Sequence, residues 1–254
     1  TGPKEQTRKD TLHTLDKSLE LLFCFEEQPD WSQTELSQRL GLHKTIVHRI
    51  LRTFCRHGVL VRSPVNKRYH LGLRVWELGN LVNQHQEFLE HARQVMARLA
   101  EDSGESVFLN SVVGFEGLVV LVQEGPQAVK VTYSAGRRVP LYAGASGKVL
   151  LSTFSAEQLQ DFFTSVQLKP FTPATITDAE TLRQDLERIR TQGYAYSIGE
   201  LDEGVAALAV KLDTAAYPGT VGLSIGGPAF RFAGRVSELL RLLQAAAHAL
   251  DHVK

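Results

Sequence analysis

Between Leu36 and Trp76 the chain places nine fixed cations, Arg39, Lys44, Arg49, Arg52, Arg56, Arg62, Lys67, Arg68 and Arg74, and not one Asp or Glu. His43, His48, His57 and His70 stand among them. Cations crowded this way repel one another unless a polyanion neutralises them, and the backbone of a nucleic acid is such a partner. The chain as a whole balances 28 Lys+Arg against 28 Asp+Glu, so the basic run is a local feature. Residues 1–85 carry 13 basic and 9 acidic side chains, whereas residues 86–254 carry 15 and 19. That asymmetry predicts two modules with different partners.

Catalytic chemistry finds no comparable constellation. Gly144-Ala145-Ser146-Gly147-Lys148 has the outline of a phosphate loop, but Tyr142 occupies the position of its first glycine. Val149 stands where a Ser or Thr would hold magnesium, and Lys148 replaces the second glycine of a nucleophile elbow. The nine histidines lack metal-ligand spacing; His43/His48 and His248/His252 come closest, each without a third ligand. Neither an enzyme, a metal nor a cofactor is expected. Cys24 and Cys55, the only cysteines, sit in apolar helical patterns and read as buried thiols of a cytoplasmic protein. No apolar run approaches the length needed to span a bilayer, so no membrane partner is expected.

The basic residues need elements to aim them. Residues 1–10 read as a flexible lead-in. Leu12, Leu15, Leu19 and Leu22 recur at helical spacing and predict a first helix with that face buried. Ser32 with Glu35 forms a capping box for a short second helix that stops at Gly41. Gly41-Leu42-His43 is then a tight turn, and the third helix runs from about Lys44 to Arg56. Its inward stripe is Val47, Ile50, Leu51 and Phe54; Thr45, His48, Arg49, Arg52 and Arg56 fall opposite. Short polar groups on the first turn and arginines beyond suit a major groove, the former reading bases and the latter holding phosphate. Val59–Arg62 and Arg68–Leu71 predict a hairpin whose tip carries Lys67 and Arg68, a wing able to lie along the duplex.

These residues resemble the IclR family of bacterial transcriptional regulators. The resemblance is carried by Glu35-Leu36-Ser37-Gln38-Arg39-Leu40-Gly41-Leu42-His43-Lys44-Thr45-Ile46-Val47-His48-Arg49-Ile50-Leu51 and by Arg68-Tyr69-His70-Leu71-Gly72-Leu73-Arg74-Val75-Trp76-Glu77-Leu78-Gly79. Ile46 departs from the family's usual Thr and exchanges a hydroxyl for an apolar contact, such as a thymine methyl. DNA contacts are expected from Lys44, Thr45, Ile46, His48, Arg49, Arg52, Arg62, Lys67 and Arg68. The resemblance implies a winged helix-turn-helix over 11–72 and a linker helix over 73–87, expected with Val75, Leu78 and Val82 along one side. A GAF-like effector-binding and oligomerisation domain would follow over 88–254.

The second half reads as α+β, an antiparallel sheet flanked by helices. Strands are expected at Val107–Leu109, Leu118–Val122, Val129–Tyr133, Tyr194–Ile198, Val205–Leu212 and Thr220–Ile225. Helices are expected at Phe88–Asp102, Gly147–Phe154, Ala156–Ser165 and Asp178–Gln192, with a closing helix from Arg231 to about His252. Gly136-Arg137-Arg138-Val139-Pro140-Leu141, Gly147-Lys148-Val149-Leu150-Leu151 and Leu223-Ser224-Ile225-Gly226-Gly227-Pro228 continue the family resemblance. By position it implies an effector cavity lined by Ala145, Ser146, Ser197, Ala207, Ser224 and Gly226, with amides at Ser146-Gly147 placed to hold a carboxylate. Members that bind small oxo-acids carry Asp, Cys and a second Ser where this chain has Ser197, Ala207 and Gly226. Those losses predict a roomier, less polar pocket and a larger or more apolar ligand. Lys211, alone in an apolar strand, is either a ligand's counter-ion or outward-facing.

The expected function is sequence-specific regulation of transcription at a palindromic double-stranded operator by a homodimer or dimer of dimers, tuned by a small organic acid. The alternative is a ligand-independent DNA-binding protein whose second domain serves only oligomerisation.

Overall fold

The computed structural model describes residues 12–81 and 86–251, which form two compact units divided between Gln84 and His85. The expected lead-in over 1–10, the continuation of the linker helix through Val82 to His85, and His252 lie outside the described residues.

In the first unit, Ser32 and Glu35 close the predicted capping box. The Ser32 hydroxyl accepts from Glu35 N at 3.2 Å, and the Glu35 carboxylate accepts from Ser32 N at 2.7 Å. This starts α2 (Gln33–Leu40), which follows α1 (His13–Phe23) and precedes α3 (Lys44–Arg56). Gly41, at φ 62°, makes the left-handed turn between α2 and α3 that a side chain would resist. Val47, Ile50 and Leu51 bury α3 against Leu21, Leu36, Leu60 and Trp31. The hairpin forms as β2 (Leu60–Arg62) and β3 (Tyr69–Leu71), joined by a two-residue strand β1 (Asp30–Trp31) that the sequence did not announce. Gly72 lets the chain leave β3 close to the turn after α3: a Cβ there would lie 2.1 Å from Gly58 O.

The first helix departs from expectation. Leu12, Leu15 and Leu19 are exposed; Leu22 of the expected stripe packs against the core part-buried, and Leu21, Cys24 and Phe25 are buried in it. The core of α2, α3 and the small sheet is filled by α1's last turn, so the rest of the leucine stripe faces outward. Helix α4 (Leu73–Leu81) likewise buries nothing within the unit, with Trp76 67% exposed.

The second unit is a six-stranded antiparallel sheet in the order β6-β5-β4-β9-β8-β7. Its strands are β4 (Ser106–Val113), β5 (Glu116–Gln123), β6 (Arg138–Pro140), β7 (Ala195–Ile198), β8 (Val205–Leu212) and β9 (Val221–Pro228). Alternation sorts the two faces. Val107, Leu109, Ala206, Leu208, Val210, Leu223 and Ile225 pack on α5 (Gln86–Ser103) and on the closing helix. The opposite face meets α6 (Ala145–Leu151), α7 (Ala156–Ser165) and α8 (Ala179–Gln192). The single closing helix expected from Arg231 is two, α9 (Ala229–Phe232) and α10 (Val236–Asp251), interrupted around Gly234 at φ 76°. Val129–Tyr133, expected as a strand, runs without regular structure and pairs with no strand, while β6 takes only the Glu116–Leu118 end of the β5 edge.

Candidate functional sites

The first site is the outer face of α3. Lys44, Thr45, Ile46, His48, Arg49, Arg52 and Arg56 are all exposed, while the opposite stripe is core. His43 caps the helix by accepting Thr45 N at Nδ1, 3.3 Å away. Gln33, at the start of α2, bonds Lys44 O at 3.1 Å and sits 3.4 Å from His48 Nδ1, which ties the two helices at the base-reading end.

The nine cations of the acid-free stretch do not remain equally available, because carboxylates just outside it fold back onto three of them. Arg39 pairs with Glu27 at 2.5 Å and Arg74 with Glu77 at 2.8 Å. Arg68 is the correction that matters. Its guanidinium bonds Asp30 at 2.5 Å and both Glu35 oxygens at 3.1 and 2.7 Å. Glu35 is therefore at once the partner of the α2 cap and the anchor of the wing. The Ser32 amide and the Arg68 guanidinium hold its carboxyl below the usual carboxylate range. Arg68 thus braces β3 against α2 and is not the free wing-tip charge expected of it. Arg62 and Lys67 remain exposed at the wing, with Lys67 at φ 60° and its amine on Pro64 O at 2.7 Å. Lys44, Arg49 and Arg52 have no carboxylate partner among the described residues, so the usable positive charge gathers on α3.

The second site is a cavity in the larger unit. All six residues expected by position line it: Ala145, Ser146, Ser197, Ala207, Ser224 and Gly226. Sheet register explains why. Ser197 pairs with Ala207, and Ala207 with Gly226, so three of them form one row across β7, β8 and β9. Ser224 lies two residues from Gly226 on the same face and pairs with Phe108 on β4. Small side chains in this row let α6 settle on the sheet. Gly147 makes the closest approach, since a Cβ there would lie 2.3 Å from Pro140 O.

One end of the cavity is polar. Ser146 Oγ donates to Ser224 Oγ at 2.9 Å, and Asn110 Nδ2 reaches the same oxygen at 3.2 Å. Ser197 Oγ accepts Ala145 N at 2.9 Å, which leaves its hydroxyl proton to donate. Phe108, Val119, Val131, Val139 and Val205 make the other walls. The cavity is small, about 50 Å³. Phe108 packs where a side chain at residue 226 would project. A Cβ on Gly226 would sit 3.2 Å from Phe108 Cε2.

Behind the cavity lies a charged group that sequence reasoning passed over. Lys148, 1% exposed, bonds Asp185 at 2.8 Å and Glu200 at 2.5 Å. Glu200 lines the cavity, and its other oxygen accepts Gly144 N at 3.0 Å, fixing the turn into α6. Arg188 holds the second oxygen of Asp185. Burial pushes the Asp185 carboxyl up, but Lys148 and Arg188 outweigh it and keep the group below its ordinary value. The signal was present in the sequence: a lone lysine inside the apolar run Val149-Leu150-Leu151 must be paired if buried. Lys211 faces outward instead, paired with Asp213. No cluster of metal-ligating side chains occurs among the described residues, nor does any helix there have the length and apolarity to cross a membrane.

A winged helix-turn-helix with its free cations gathered on one helix, followed by a cavity-bearing sheet-and-helix unit, defines a DNA-binding regulator of transcription. Residues 81–252 match the family described as bacterial transcriptional regulator IclR C-terminal, and residues 14–64 match the IclR helix-turn-helix domain. The chain belongs to the IclR family. It is 32% identical over 200 residues to the HTH-type transcriptional regulator XynR of Escherichia coli (strain K12), covering 78% of this chain and 79% of that one. It is 33% identical over 219 residues to KipR of Bacillus subtilis (strain 168), covering 86% and 87%. Among solved structures, a putative IclR regulator from Silicibacter sp. TM1040 superposes with a TM-score of 0.84 at 24% identity over 94% of both chains. An IclR homolog from Microbacterium hydrocarbonoxydans, complexed with 4-hydroxybenzoate, superposes with a TM-score of 0.80 at 22% identity over 94% of this chain and 97% of that one. The relatives matched are regulators, not enzymes.

Proposed function

We propose that the cavity binds a small organic acid and that its occupancy changes the affinity of the α3 face for an operator. The observation that carries this reading is the convergence of Ser146, Ser197, Ser224 and Asn110 on one end of an otherwise apolar cavity. Apolar walls with a few placed polar groups are the ordinary make-up of a small-molecule site. First-turn amides lack partners inside a helix, and Ala145's is taken by Ser197, which leaves those of Ser146 and Gly147 for a carboxylate. Of the two acids on the wall, Glu200 is neutralised by Lys148 and Asp202 accepts a hydrogen bond from Tyr133, so neither stands bare against an anion. That the Microbacterium homolog holds 4-hydroxybenzoate, a carboxylate on a compact aromatic body, supports the same class.

On the DNA side the reading assigns Lys44, Thr45, Ile46, His48, Arg49 and Arg52 to the major groove and Arg62 and Lys67 to the flanking backbone. The exposed stripes Leu12-Leu15-Leu19 of α1 and Leu73-Trp76-Leu81 of α4 favour a homodimer, or a dimer of dimers, on a palindromic operator. Ligand binding then shifts the population between arrangements of the two recognition helices. The test is a thermal-shift series on the full chain with aliphatic and aromatic carboxylates, 4-hydroxybenzoate among them, paired with operator titrations. A ligand at 100 times its Kd stabilises by about 2.7 kcal/mol, a shift of roughly 5–10 °C for a unit this size. No shift across the panel, with operator binding intact, would favour the ligand-independent reading, for which the tightness of the cavity is the supporting observation.

A further inference from the structure

One wall of the cavity is contributed by a segment without regular structure. Between β5 and β6, residues 124–137 run without regular structure, and Tyr133 from this stretch lines the cavity together with Asp202 from the β7–β8 connection. The two are joined: Tyr133 Oη donates to Asp202 Oδ2 at 2.6 Å. Asp202 is exposed and Tyr133 half-buried, so the bond lies at the rim and bridges two segments that sequence keeps 69 residues apart. The ring is held on its flanks as well. Buried Phe108 packs beside it with centroids 5.3 Å apart, and the exposed Arg137 guanidinium lies 4.1 Å from its centroid. Three interactions therefore converge on one side chain, carried by a stretch with little backbone pairing of its own to hold it in place.

We infer that Tyr133 is the gate of this cavity and that its bond to Asp202 is the latch. An occupant enters when the ring leaves Asp202 and the stretch carrying it lifts; with the latch closed, Tyr133 and Phe108 set the small space that remains. The inference rests on the cavity being a ligand site but not on which ligand it takes, and the test needs no effector. Ala207 faces the cavity, whereas its neighbour Ala206 is buried in the core on the opposite face of the sheet. Full-length Ala207→Cys and Ala206→Cys chains would be labelled with N-ethylmaleimide, the reaction of Cys24 and Cys55 in the parent chain being subtracted. When closing is fast relative to reaction, the labelling rate follows the population of the open form.

Adding Tyr133→Phe, or separately Asp202→Ala, removes the latch, the first keeping the ring and the second taking away the acceptor. The expected result is labelling at residue 207 about 5- to 10-fold faster, as fits loss of a hydrogen bond to a charged group at a part-exposed site, with the rate at 206 unmoved. Equal rates at 207 with and without the latch would overturn the gate. So would an equal rise at 206, which would mean the unit was opening as a whole. A cavity that binds carboxylates in the thermal-shift series but shows no latch effect has another entrance, so the two readings fail separately.

Discussion

Replacing Lys148 by Met removes the one cation that two buried carboxylates share. In the folded chain its amine lies 2.8 Å from Asp185 and 2.5 Å from Glu200, with the acid side chains only 8% and 10% exposed. Taking one partner from a buried ion pair costs about 3–5 kcal/mol, chiefly because the charge left behind has been desolvated for nothing. Arg188 still holds Asp185, and Gly144 N still holds Glu200, so the lower end of that range applies here. A loss of about 3 kcal/mol corresponds to a fall of roughly 6–12 °C in Tm for a unit of this size. Calorimetry on the full chain would resolve it, with the first unit's transition unmoved. The acid limb supplies a second check. The folded Asp185 carboxyl sits below its ordinary value, so its stabilising contribution is complete above the unfolded Asp range, near pH 4, and is lost as pH falls through the depressed folded value. Lys148→Met weakens that depression, and the gap between the two proteins should narrow on acidification. Adding Asp185→Asn and Glu200→Gln to Lys148→Met should restore most of the Tm. A loss under about 1 kcal/mol at neutral pH, or a gap that holds constant into acid, would refute the assignment of the triad as a coupled buried charge.

Arg49→Ala should weaken binding to an operator selected from random duplexes by about 1–3 kcal/mol while leaving the melting temperature unchanged; equal affinity would remove Arg49 from the interface. Arg68→Met should do the reverse. It would lower the first unit's melting temperature, by the small amount an exposed ion pair contributes, and leave the salt dependence of DNA binding unaltered. A shallower salt slope would return Arg68 to the phosphate backbone. Gly226→Ser should cost about 1–3 kcal/mol through the forced shift of Phe108 and should reduce the thermal response to any carboxylate that stabilises the parent. A stabilised variant would show that the ring gives way freely.

Legibility in the sequence followed the strength of the local signal. Helix α3, with apolar and basic residues on opposed faces, forms from Lys44 to Arg56 as its pattern required, and α7 and β8 match their expected limits. The leucine stripe of α1 announced a helix correctly but not the burial of that face, because periodicity says that a face is apolar without saying what covers it. The alternation of Val129–Tyr133 is real as well. It turns Val131 and Tyr133 toward the cavity, yet the segment builds no ladder. Strand β1, two residues long beside Pro29, carries no periodic signal at all. Ion pairing was the least visible layer. Glu35 could be read as a capping residue, but its hold on Arg68 spans 33 residues and exists only once the wing has folded back.

The cavity shows why positions can be legible while their consequence is not. Taken as separate positions, Ser197, Ala207 and Gly226 imply added room from a missing thiol and a missing hydroxyl. Register makes them one cross-strand row, and what the row gives up, its neighbour on β4 takes: Phe108 lies where a larger side chain at 226 would project. Substitutions at a packed wall redistribute space before they create it, since interiors keep few voids. The polar end, built from Asn110, Ser146 and Ser224, is fixed by bonds among those residues and by the seat of α6, so it offers little freedom to fit different ligands. Tyr133, by contrast, sits on a stretch without regular structure and is held by Asp202, Phe108 and Arg137. If the cavity is the ligand site proposed above, the size of ligand it admits is governed less by the residues that replaced the thiol and hydroxyl than by how far Tyr133 can withdraw.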